Sequence, residues 1–257
     1  MELSDSDLLN TIRPIFWFHR KETFFPQEVE KMIQSAEVWN PTEKVLSLQE
    51  EKEPVQRLLR YSNGYSLKHT ELEGSLDAPV YARVDRRDPQ FIRVVFFLIF
   101  PFNGNLNVCG TPSCGCISAG AHHGDLERVS FLLDPTTYKI TKVYFGAHGS
   151  KDGLWLNGED IEYQDESPVI YVAWNSHALY PHAKTWFRYF GTVNDYTEKG
   201  QLWIPRIIQI EEEVPEWQKI KLHLGWPDHS NFPASHPAWN EDPPVSTSWW
   251  KRFFGCC

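Results

Sequence analysis

Chemistry in this sequence is most readily built on one short segment, His122-His123-Gly124-Asp125-Leu126-Glu127. It leads straight into an apolar run, Arg128 to Asp134, that reads as a strand. If that strand begins near Gly124, the two-residue side-chain period sends Asp125 and Glu127 to one face and Leu126 to the other. Two carboxylates on one face repel unless a cation lies between them or one is protonated. His122, three residues before Asp125, would close such a site from the preceding turn. Ligand hardness then favours Mg, Ca or Mn over Zn. The spacing alone is equally compatible with a solvated turn, or with Glu127 paired to its neighbour Arg128.

Two further histidines stand at strand ends, His148 in Gly146-Ala147-His148-Gly149 and His177 in Asn175-Ser176-His177-Ala178. Loops at one end of a β-sandwich cluster in space, so both can meet the 122–127 turn. Each alone reads equally as a satisfied turn histidine. His123, His148 and His177 are the candidate general bases or acids of an enzyme. Arg128, Ser176 and Tyr180 are the candidate contacts to a bound headgroup. The adjacent pair Ser176-His177 is no nucleophile–base arrangement, and no G-x-S-x-G elbow is present. Cys109, Cys114 and Cys116 precede the His pair. They read as a zinc loop, a reduced Gly-rich loop, or a loop closed by a Cys109–Cys114 disulfide.

The elements that must position these residues are mostly strands. Ala78 to Val84 alternates, Phe91 to Phe100 is nearly all apolar as in a strand buried on both faces, and Pro101 to Asn105 reads as a turn. Further strands are expected at 128–134, 140–147, 169–174 and 202–210. Two short helices are expected, one begun by Pro26 with Val29, Met32, Ile33 and Ala36 on one face, the other over 54–60. This is the pattern of a mainly β protein, a β-sandwich with a few short peripheral helices, rather than of a βαβ array. The expected organisation is a single sandwich domain over 1–232. An extended strap and an aromatic, basic tail ending in Cys256-Cys257 would follow over 233–257.

Composition narrows the partners. The 257 residues carry a formal net charge of −9, with no Lys/Arg block able to follow a phosphate backbone, which excludes nucleic acid as the main partner. With 11 Trp, 10 Tyr and 16 Phe the chain leans toward sheet, and the indoles Trp155, Trp174 and Trp186 offer a stacking rim. The acidic start lacks the features of a secretory signal, and the longest apolar run, 94–102, is far short of the roughly 20 residues that span a bilayer. A cytoplasmic protein is therefore expected. The tail, Trp249 to Cys257, suits a membrane interface if Cys256 and Cys257 are lipidated. It can equally pack back on the domain.

Several ordered segments carry a family likeness: 14–22 (PIFWFHRKE), Phe25-Pro26, Ala78-Pro79-Val80-Tyr81, Phe100-Pro101-Phe102-Asn103, His122 to Glu127, Ala147-His148-Gly149, and 168–171 with 176–181 (SHALYP). Over roughly residues 12–190 the chain resembles the family named after vacuolar protein sorting-associated protein 62. That family's GDWE core stands here as Gly124-Asp125-Leu126-Glu127, with Leu126 in place of Trp and Arg128 in place of the usual following His. More distantly, H-x-x-D-x-E followed by His-Gly and His-Ala segments is similar to the necrosis-inducing, NLP-type cytolysins. There the matching residues surround a divalent cation on a β-sandwich that engages a glycolipid headgroup. The resemblance implies His122, Asp125 and Glu127 as ligands. It does not imply toxin activity, since Gly124 stands where a second His of the cytolysin heptapeptide would be. Two functions follow as expectations. One is a peripherally membrane-associated module that holds a lipid or sugar headgroup through a cation. The alternative is a metal-dependent hydrolase or lyase acting on a small-molecule substrate with the same residues. If the carboxylates are merely paired, the segment is structural.

Overall fold

In a computed structural model, the structure describes residues 3–62, 64–107, 118–148, 153–188, 193–211 and 215–225. Along the chain, helix α1 (Asp5–Thr11) precedes β1 (Ile15–Phe18). Helix α2 (Val29–Gln34), β2 (Ala36–Trp39), β3 (Lys44–Ser47), α3 (Pro54–Leu58) and β4 (Ser66–His69) follow. The central strands are β5 (Val80–Asp85), β6 (Ile92–Asn103), the short β7 (Leu106–Asn107) and β8 (Ser118–Ala119), β9 (His122–Leu133), β10 (Ile140–Phe145) and β11 (Leu154–Asn157). Then come β12 (Tyr163–Gln164), β13 (Ser167–Val172), β14 (Leu179–Tyr180), β15 (Thr185–Arg188), β16 (Val193–Tyr196), β17 (Gln201–Trp203) and β18 (Ile207–Gln209).

The described residues form a mainly β sandwich. A six-stranded sheet in the order β11-β10-β9-β6-β5-β18 faces a five-stranded sheet in the order β12-β13-β1-β17, with β14 on β13. Strand alternation explains the interior. Even-numbered residues of β6, from Ile92 through Phe96 to Phe100, meet Phe16, Phe18, Ile170, Val172 and Trp203 of the smaller sheet. Their odd-numbered neighbours Val95, Phe97 and Ile99 face outward, under α2, the small sheet β3-β2-β4 and the segment 217–224. That two-sided cover is why β6 is apolar without interruption from Val94 to Phe102. A third cluster, with Ile15, Val169, Tyr171 and Tyr180, lies on the outer side of the smaller sheet beside Trp186 of β15.

Several elements differ from the sequence reading. Strand β6 runs on through Pro101 to Asn103, because Pro101 falls opposite Gly124, a step where no β6–β9 pair forms and no N–H is needed. Pairing with β6 likewise draws β9 back to His122. The helix expected from Pro26 starts at Val29, since the Gln27 N–H donates to the Ile99 carbonyl at 2.8 Å and ties that stretch to β6. Ala36 has already left the helix for β2. The strand expected over 202–210 splits around Pro205: β17 joins the smaller sheet and β18 the larger, so the chain crosses between layers there. Among the described residues, no helix is long and apolar enough to cross a membrane.

Candidate ligand site at the loop end

The start of β9 depends on Gly124. Its φ is +63°, and a β-carbon there would stand 2.1 Å from the Leu224 carbonyl oxygen. No side chain fits that position without a shift of the backbone. The turned backbone lets His122 fold over its own strand. Its Nδ1 lies 2.9 Å from the Gly124 carbonyl and therefore donates, leaving Nε2 to accept from Asn103 Nδ2 at 3.0 Å. His123 points to β4, accepting the His69 N–H on Nδ1 at 3.2 Å and meeting Phe102 edge-on. Burial, helped by the neighbouring His69 and Lys68, lowers the His123 ring to about 4, so it stays neutral.

Asp125 and Glu127 do share a face, and Leu126 fills the core on the other side. Both carboxylates are buried, and Glu127 Oε2 lies against Gly146, where a β-carbon would stand 3.5 Å away. The group that meets Asp125 is His177, whose Nδ1 donates to Asp125 Oδ2 at 3.1 Å. On its far side His177 Nε2 stands 3.8 Å from Glu22 Oε2, and the whole ring is inaccessible to solvent. It stacks flat on Phe100, with centroids 3.9 Å apart and planes 6° apart, a cation–π contact for a charged ring. Burial alone would depress this imidazole, but the hydrogen bond to Asp125 and the charge of Glu22 overcome it and lift the pKa to about 9. For Glu22, burial pushes upward. The pull of His177 and the N–H groups of Phe24 and Asn175 outweigh it and hold the carboxyl below its ordinary range. His177 thus lies between the carboxylates of Asp125 and Glu22.

Ser176, the next residue, points into a second buried acid. Its Oγ donates to Asp195 Oδ1 at 2.7 Å. The hydroxyl of Tyr180 donates to Asp195 Oδ2 at 2.6 Å, and His148 Nε2 lies 2.6 Å from the same oxygen. Asp195 is fully buried, whereas His148 keeps 18% of its side chain exposed. Tyr180 also stacks on Trp186, with centroids 4.4 Å apart and planes 17° apart. The 174–178 turn therefore sits between two acid clusters and is pinned by both. Asn175 (φ +64°), His177 (φ +53°) and His148 (φ +48°) all adopt left-handed backbone conformations that cost a residue other than glycine about 1–3 kcal/mol each. Such strain persists where the surroundings over-determine it, and it gathers at functional sites.

The remaining expected residues lie elsewhere. Arg128 is buried on the opposite face of β9 from Asp125, over the ring of Tyr144 at 5.5 Å, and Trp155 packs on the same Tyr144. Trp174 stacks on His19 at 5.3 Å. Cys109, Cys114, Cys116, Cys256 and Cys257 lie outside the described residues. Both nitrogens of His122 are engaged with Gly124 and Asn103, Asp125 is hydrogen-bonded to His177, and among the described residues no three His, Cys, Asp or Glu side chains converge as a metal site. Glu22 and Asp195 were not singled out from spacing. The signal for Asp195 is an acid inside a short strand, a place where Asp is depleted. Glu22 carries no comparable mark.

Comparison with solved structures gives distant similarity to NLP-type proteins. Necrosis and ethylene inducing protein 2, from the causal agent of cocoa's witches' broom disease, is 13% identical with a TM-score of 0.40, covering 81% of this chain and 76% of that one. NLPPya in complex with glucosamine is 12% identical with a TM-score of 0.44, covering 87% and 86%. At these scores neither protein's ligand nor its activity bears on this chain. No curated protein sequence matches it. The model of vacuolar protein sorting-associated protein 62 matches residues 65–200, more than half of the sequence and all of the segment from β9 to the Asp195 cluster. The chain belongs to the vacuolar protein sorting-associated protein 62 family.

Proposed function

We propose that the loop end of this sandwich binds a sugar headgroup, on a glycan or a glycolipid. One observation carries the reading: Tyr180 joins a buried, charged hydrogen-bonding centre to an aromatic face, with its hydroxyl on Asp195 and its ring stacked on Trp186. A sugar has the complementary surface, an apolar ring face edged by hydroxyls. Aromatic walls with a few fixed polar groups are what hold such a ligand in place. Trp186 is only partly buried, and the group over its ring at 3.9 Å is the ammonium of the exposed Lys184, a flexible chain that a ligand can displace. The acid–imidazolium–acid set beneath, Glu22, His177 and Asp125, acts as support: it fixes the turn that presents Ser176. No divalent cation enters this reading.

Glucosamine and mannosamine serve as probes, titrated against the purified chain by ligand-observed NMR. Binding is expected for the unmodified chain and a loss of about 2- to 12-fold for Trp186→Ala, since an aromatic contact contributes about 0.5–1.5 kcal/mol. A second arm compares flotation with vesicles carrying a glycolipid and with plain phosphatidylcholine vesicles, which separates a glycolipid headgroup from a free glycan. A chain that binds neither amino sugar, nor any member of a broad glycan panel, nor the glycolipid vesicles refutes the proposal.

A further inference from the structure

His148 stands out among the histidines, because one of its nitrogens is held by a buried acid while part of its ring reaches the surface. We propose that Asp195 and His148 form a hydroxyl-reading subsite, in which Nδ1 of His148 accepts a hydrogen bond from one particular hydroxyl of the bound sugar. This rests on the sugar-binding reading and names the residue within it that sets specificity.

The argument starts at Asp195. A buried carboxylate only accepts, so each of its partners must donate. Ser176 and Tyr180 supply hydroxyl hydrogens, and the 2.6 Å approach of His148 Nε2 requires the proton on that nitrogen. In the neutral ring this leaves the lone pair on Nδ1. Among the described residues Nδ1 makes no hydrogen bond, and the side chain is 18% exposed. The tautomer is set by the carboxylate behind the ring, as in any acid–imidazole pair. The backbone agrees with that placement, for His148 is held at a φ of +48° although a left-handed conformation is costly there. Neighbouring Ala147 and the ring of Tyr180 share one apolar cluster with Trp186 packed against it, so the acceptor and the aromatic face belong to the same patch of surface. An acceptor beside an aromatic face distinguishes sugars by which hydroxyl they bring to it. A site that pairs a hydroxyl discriminates against the analogue that lacks it, here by a single partly exposed hydrogen bond.

The test uses His148→Gln, whose amide N–H replaces Nε2–H on Asp195 while the Nδ1 acceptor is lost. Affinities of the unmodified chain and the variant are measured for glucosamine and for its monodeoxy analogues. The unmodified chain is expected to lose about 3- to 10-fold for one analogue, the loss of a single hydrogen bond. His148→Gln is expected to lose the same factor for glucosamine and nothing further for that analogue. Equal binding of glucosamine by both chains overturns the inference and leaves the sugar site standing. So does a loss that adds to every deoxy penalty alike. Absence of any sugar binding by the unmodified chain overturns the site and this inference together. A circular-dichroism melt of the variant matching the unmodified chain shows that the comparison is between folded proteins.

Discussion

Substituting His177 tests the charge arrangement at the centre of the molecule. The imidazole lies between Asp125 at 3.1 Å and Glu22 at 3.8 Å with no solvent access, and its pKa rises from 6.5 to about 9. A rise of about 2.5 units corresponds to about 3 kcal/mol of folding stability tied to the bound proton. Below pH 6.5 both folded and unfolded chains carry that proton, and the whole contribution is present. Between 6.5 and about 9 the unfolded chain releases it first, so stability falls as pH rises, and above about 9 the contribution is gone. Glu22 behaves oppositely: its folded pKa is lowered, so its contribution is present above its ordinary range and is lost as pH falls through the folded value. The expected melting profile of the unmodified chain declines on the alkaline side by about 6–12 °C, taking about 2–4 °C per kcal/mol for a chain of this size. His177→Gln is expected to melt lower by at least as much at pH 6, since two buried carboxylates lose their cation. Its own alkaline decline should be largely absent. Adding Asp125→Asn should recover part of the loss, a non-additivity of about 0.5–3 kcal/mol. Calorimetry from pH 5.5 to 9.5 reads all three. A His177→Gln variant that melts with the unmodified chain, or a double variant whose losses simply add, would refute the bridging role.

Gly124→Ala places a β-carbon 2.1 Å from the Leu224 carbonyl oxygen at a φ of +63°. A loss of at least about 2 kcal/mol in urea unfolding is expected, and a loss within error would remove the account of that glycine. Tyr180→Phe keeps the stack on Trp186 and deletes one hydrogen bond to the buried Asp195, with an expected cost of about 1.5–3 kcal/mol. A neutral result by denaturant titration would mean that Asp195 does not depend on that hydroxyl. EDTA treatment is expected to leave the melting temperature unchanged and elemental analysis to find no stoichiometric divalent metal. A metal bound one per chain and released by Asp125→Asn would instead establish the cation site expected from the sequence.

Much of the fold was legible because burial writes itself into residue type. The nearly all-apolar run of β6 announced a strand covered on both faces, and the parity of Asp125, Leu126 and Glu127 followed from the pleat alone. Element ends were less legible, because tertiary pairing decided them. Pro101 continues a strand only because its partner position makes no pair, and Pro205 divides a stretch that reads as one strand into pieces of two sheets. Neither circumstance can be read locally.

The site was half legible for a related reason. Spacing showed that Asp125 and Glu127 must share a face and that such a face calls for positive charge, but it could not show where the charge comes from. The answer lies 52 residues downstream for Asp125, in a histidine whose ring is turned inward by a left-handed backbone. Its counterpart, Glu22, sits in a different strand connection. The adjacent Ser176 turns the other way, to Asp195, so a one-residue step in sequence divides one buried acid cluster from the other. Motif spacing locates residues that share a strand; it is silent about a turn whose successive side chains serve different clusters. Here the chemistry open to solvent lies on the Asp195 side of that turn, at His148 and Trp186, rather than at the carboxylates that first drew notice.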